Sequence, residues 1–127
     1  MKWKEVVYMS RSITFERNEI VIKFSPLTTI AGLKHELKIP YSAVKGVEAG
    51  NFKLHWSALR VGGTSIPFGY KAGRFRYNGQ KYFLSYHNPS KVVVLDLEDY
   101  DYDKVVVQVG QPKQIKQAIL KRCPQLV

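Results

Sequence analysis

LRVGGTSIPFGYKAGRFRYNGQKYFLSY, from Leu59 to Tyr86, is the stretch that decides the fold. A glycine-punctuated loop feeds two alternating segments joined by Asn78-Gly79. A two-residue type I′ turn needs positive φ at both central positions, which Asn-Gly supplies at low steric cost. The turn fixes a hairpin register in which Tyr77 faces Gln80, Arg76 faces Lys81, Phe75 faces Tyr82 and Arg74 faces Phe83. Successive side chains of a strand point to opposite faces. One face therefore reads Phe75, Tyr77, Tyr82, Leu84 and Tyr86, a core face. The other reads Arg74, Arg76, Lys81, Phe83 and Ser85, a solvent face. Like charges directly opposite one another cost roughly 0.2 to 1 kcal/mol, so Arg76 against Lys81 is a small local expense that an anion-facing surface tolerates. The same pattern also describes an ordinary solvated face whose long side chains spread apart.

Outward from the hairpin the chain reads mainly as β-structure. Trp3 to Met9 and Glu19 to Phe24 have strand patterns, the second alternating Ile20, Ile22 and Phe24 against Val21 and Lys23. Ser25 as N-cap and Pro26 at the first helical position predict a short helix with Leu27, Ile30 and Ala31 on one side. Lys38 to Tyr41 and Val44 to Glu48 return to strand across a bend at Pro40 to Ala43. After the hairpin, His87-Asn88-Pro89-Ser90 makes a turn and KVVVLDL a β-branched strand. Lys104 to Val109 is another strand. Pro112 then opens a final helix to about Cys123, with Ile115, Ala118 and Ile119 as its buried stripe, and Pro124 stops it. About seven antiparallel strands and a closing amphipathic helix predict a small bent barrel with the helix over an open end or edge. Residues 1–127 read as a single domain.

Formal net charge is +10. Between Glu48 and Asp96 there is no acidic residue, whereas Lys53, Arg60, Lys71, Arg74, Arg76, Lys81 and Lys91 all fall there. DLEDYDYD follows at once, with Asp96, Glu98, Asp99, Asp101 and Asp103. Separate basic and acidic regions are expected. Positive charge favours anionic lipid, nucleic acid or an acidic protein surface without choosing among them. The one cysteine, Cys123, leaves no internal disulfide. No stretch approaches the roughly 20 apolar residues of a spanning helix, and the expected location is cytoplasmic, with peripheral membrane attachment as the second choice.

EIVIKFSPLTTIAGLKHELKIPYSAVKGVE, GGTSIPFGYKAGRF at Gly62 to Phe75, and a valine strand leading through Gln111-Pro112 to the closing helix resemble the bacterial pleckstrin-homology-like (PH-like) domains. The resemblance covers most of the chain. It implies a bent antiparallel β-barrel capped by a C-terminal helix, and a role in binding or scaffolding. It does not imply a phosphoinositide ligand, because one fold carries many partners. No family ligand motif matches residue by residue, so no lipid-binding residues are carried over.

Chemistry is thinly marked. His35, His55 and His87 are widely spaced and Cys123 has no CxxC or HxxxH companion, so no metal or other cofactor is indicated. The serines lack a nucleophile-elbow sequence. Asp99, Asp101 and Asp103 alternate, but without the glycine and terminal glutamate of a calcium loop. With Tyr100 and Tyr102 turned inward the segment is an acidic hairpin end, able to pair with a basic neighbour or a second copy. The expectation is a non-catalytic recognition or scaffolding module that binds a protein partner through Lys71, Arg74, Arg76, Lys81 and Phe83. Ile66, Phe68 and Tyr70 are candidate loop contacts, or else anchors to the domain's own core. Anionic membrane lipid is the alternative partner. Non-specific nucleic-acid binding, with Phe83 as a stacking face, comes last, and specific base reading has no supporting motif.

Overall fold

The computed structural model describes residues 11–24, 36–53, 59–63 and 71–126. The strand expected at Trp3 to Met9, the helix expected from Ser25 and the loop residues Ile66, Phe68 and Tyr70 lie outside them. The described chain is mainly β and forms two sheets. Strands β1 (Arg11–Phe15), β2 (Glu19–Phe24) and β3 (Glu36–Pro40) make an antiparallel three-stranded sheet in that order. A short 3-10 turn at Tyr41–Ala43 carries the chain into β4 (Val44–Ala49) of the second sheet. That sheet also holds β5 (Leu59–Gly63), β6 (Lys71–Tyr77), β7 (Gln80–Tyr86), β8 (Val92–Leu97) and β9 (Lys104–Gln108), in the order β4-β8-β9-β7-β6-β5. The expected barrel of about seven antiparallel strands is corrected accordingly. Among the described residues there is no closed barrel, there are two sheets, and one pair, β7 with β9, is parallel.

Local chemistry explains most elements. Asn78 (φ 54°) and Gly79 (φ 78°) both sit in the left-handed region that a type I′ turn requires. The β6–β7 register is Tyr77 with Gln80, Arg76 with Lys81, Phe75 with Tyr82 and Arg74 with Phe83, as the turn dictated. Gly73 pairs with both Leu84 and Gly63 at φ 133°, a conformation that side chains rarely adopt. The strand RSITF, not anticipated from the sequence, alternates half-buried Ile13 and Phe15 with exposed Ser12 and Thr14. The helix α1 (Pro112–Arg122) starts with Pro112 at its first turn and carries Lys121 and Arg122 in its last, where the helix dipole favours cations.

The core lies between the two sheets and under α1. Ile20, Ile22, Leu37 and Ile39 of the small sheet meet Val47, Leu95, Val105 and Phe83 of the large one, with Ile119 and Cys123 closing from the helix end. The tail then holds the layers together. Arg122 stacks on the Phe15 ring at 4.5 Å, and Gln125 Nε2 donates to the Tyr41 and Val44 carbonyls at 2.9 and 3.1 Å. A second apolar cluster occupies the opposite face of the large sheet, where Phe75, Tyr82, Leu84, Tyr86, Val92, Val94 and Val106 pack with half-buried Phe52. The central strands are thus buried on both faces. Gly46, Asp96, Lys104 and Tyr82 form one cross-strand row on that second face. Lys104 Nζ is ion-paired with Asp96, and a Cβ at Gly46 would come within 3.0 Å of Asp96 Oδ2, so the glycine leaves room for the pair.

Candidate functional site

The site begins with the order of strands. The chain runs along β7, turns at 87–91, returns along β8 and comes back along β9, which lies between β7 and β8. Strands β7 and β9 are therefore parallel neighbours. Strand β7 starts just after the Asn78-Gly79 turn and β9 just after the acidic segment 98–103, so the two turns lie side by side at one end of the sheet. Lys81 N donates to Asp103 Oδ2 at 2.8 Å, and Asp103 N donates to the Lys81 carbonyl at 2.8 Å. The basic and acidic stretches, separate along the sequence, meet at this contact. The acidic segment is clamped onto the basic hairpin.

A second row shows where the hydrophobic cover ends. Across the core face run Val47, Leu95, Val105, Phe83 and Arg74 in register. Helix α1 packs on β4 and β8, and the apolar layer extends across β9 as far as Phe83. Phe83 is only 2% exposed, and its ring lies 5.3 Å from that of Tyr102. It is a core residue and not a surface contact, which corrects its assignment as a binding or stacking group. Ser85, on the same face, is also buried. The alternation was right about which side chains share a face. It could not say that a second sheet and an acidic turn cover half of that face.

One strand further out, Arg74 and Arg76 are exposed, as is Lys81 on β7. These three cations, with Phe75, Tyr82, Asp101 and Tyr102, line a cleft of about 420 Å³. Tyr102 is its fixed wall, held against Phe83 and 6.3 Å from the Tyr100 ring. Burial pushes the Tyr102 phenol up, the Arg74 guanidinium pulls it back, and the Asp101 carboxylate pushes the same way as burial. Arg74, Asp101 and Tyr102 line the same cleft. Among the described residues the ion pairs are Lys104 with Asp96 and Lys116 with Glu48. Arg74, Arg76, Lys81 and Asp101 join neither.

Of the residues singled out from the sequence, the structure brings Arg74, Arg76 and Lys81 together on the cleft. Lys71 opens β6, three residues before Arg74, and its side chain lies outside the described set. Asp101 and Tyr102 were not foreseen as part of this surface. Their only sequence signal was the acid and tyrosine alternation of DLEDYDYD, which gives no partner. Among the described residues no group of three or more His, Cys, Asp or Glu side chains could hold a metal ion, and no helix is long and apolar enough to cross a membrane. No protein-family model matches the chain, and neither a curated protein nor a solved structure is significantly similar to it.

Proposed function

We propose that this chain is a non-catalytic recognition module whose basic hairpin cleft binds an acidic surface of a protein partner. One observation carries the reading: Arg74, Arg76 and Lys81 converge on a cleft with a rigid aromatic wall, just where the hydrophobic cover of the sheet stops. Exposed cations at such a boundary offer charge and apolar surface together, the combination that steers and then holds an acidic protein segment. The resemblance of the sequence to bacterial PH-like domains favours a role in binding. Neutralising all three cations in the variant R74Q/R76Q/K81Q removes solvated charge from exposed positions, so the fold persists. At about 0.5 kcal/mol for each exposed ionic contact, binding weakens by roughly tenfold or more. Affinity capture from cell lysate, followed by titration of the captured protein, measures this directly, with flotation on phosphatidylserine vesicles run in parallel. Saturable protein binding that the triple variant loses supports the proposal. Flotation that the variant loses, with no such protein, replaces it with the membrane reading, and indifference of both assays to the variant removes the cleft from function.

A further inference from the structure

The acidic segment brings one carboxylate, that of Asp101, to the cleft. Asp96 is tied to Lys104, Asp103 accepts from the Lys81 amide, and Asp99 takes a positive φ (58°) in the turn. Asp101 is exposed, joins no ion pair among the described residues and lines the cleft with the three cations. Its position is nevertheless fixed. The Tyr100 and Tyr102 rings anchor the residues on either side of it, and Asp103 is bonded to β7 immediately afterwards.

A carboxylate in that position constrains the ligand. It is an acceptor only, so it repels a second anion and requires an N–H or O–H donor opposite it. Inorganic phosphate near neutral pH has one or two P–OH groups that can donate to Asp101, but its other oxygens are anionic, and Asp101 lowers their attraction to the cations of the cleft. A peptide segment differs, because an acidic side chain and a backbone N–H lie a few ångströms apart on the same residue. Resting on the reading above, we infer that the cleft takes an acidic peptide segment. Arg74, Arg76 and Lys81 hold its side-chain carboxylate, and Asp101 accepts a hydrogen bond from its backbone N–H. Asp101 then favours a backbone N–H over the charged oxygens of phosphate.

The test is a heteronuclear NMR titration of the whole chain with three probes: a positional library of end-blocked pentapeptides carrying Asp or Glu at each position in turn, inorganic phosphate, and phosphatidylserine vesicles. The expected result is that the tightest peptide shifts the amide signals of Lys81, Asp101 and Tyr102. Asp101→Asn keeps an acceptor oxygen but loses the charge that strengthens the hydrogen bond, and should weaken that peptide by about fivefold, and Asp101→Glu should bind it more tightly than Asp101→Asn. Phosphate and vesicles should bind Asp101→Asn as well as or better than the parent chain. Two outcomes overturn the inference while leaving the protein-binding cleft intact: no library member shifts the cleft signals, or Asp101→Asn binds acidic peptide equally or more tightly. Peptide binding that survives R74Q/R76Q/K81Q overturns the inference and the underlying reading together.

Discussion

Replacing Phe83 by alanine separates a core residue from a surface contact more sharply than any other single change. The side chain is 2% exposed and stacked at 5.3 Å against Tyr102, with Val105 of β9 in register beside it. Truncating a buried phenylalanine removes its transfer energy and leaves a cavity, together about 3 to 5 kcal/mol. A domain's whole stability is about 5 to 15 kcal/mol, so the variant is expected to fold, but marginally. With a urea dependence near 2 kcal/mol/M, the unfolding midpoint falls by about 2 M. Phe83→Leu keeps most of the volume and costs less than about 1.5 kcal/mol. A double-mutant cycle with Tyr102→Leu should recover a coupling of about 0.5 to 1.5 kcal/mol for the ring pair. An exposed stacking residue behaves otherwise, because surface substitutions stay within about 0.5 kcal/mol, a midpoint shift of roughly 0.3 M. A shift that small, with no coupling to Tyr102, would refute the burial of Phe83 and return it to the binding surface.

Asp103→Ala removes the acceptor of the Lys81 amide and should cost about 1 kcal/mol, read as faster hydrogen exchange at Lys81 and a lower urea midpoint. Unchanged exchange there would show that the acidic segment is not clamped to β7. Alkaline pH should destabilise the fold: burial raises the phenols of Tyr41, Tyr82, Tyr86, Tyr100 and Tyr102, Tyr100 to about 12 from an ordinary 10.0. Below pH 10.0 both states keep these protons, and above it the unfolded chain loses them first, so stability falls as pH rises toward about 12. Urea midpoints measured across that interval should decline, and a flat profile would contradict the burial of these rings.

The hairpin register was legible because it is local. Asn78-Gly79 admits one turn geometry, the turn fixes the pairing, and the pairing assigns every side chain to a face. The last helix was legible for the same reason, between Pro112 at its start and Pro124 beyond its end. The strand RSITF escaped notice because it is short and carries two apolar positions, Ile13 and Phe15, which gain significance only against the core they pack on. Phe83 was misplaced because periodicity tells which residues share a face and not what lies over it.

The site divides in the same way. Asn-Gly chemistry and strand alternation placed Arg74, Arg76 and Lys81 on one face of one hairpin, since each rests on contacts a few residues apart. Only the tertiary structure put Asp101 and Tyr102 opposite them. That pairing depends on β9 inserting between β7 and β8, a choice between non-local partners that the identity of no single residue encodes. Separations of about 20 residues, such as Lys81 to Asp103, close only when the two sheets and the helix together bury enough apolar surface to offset the entropy of ordering the chain between them.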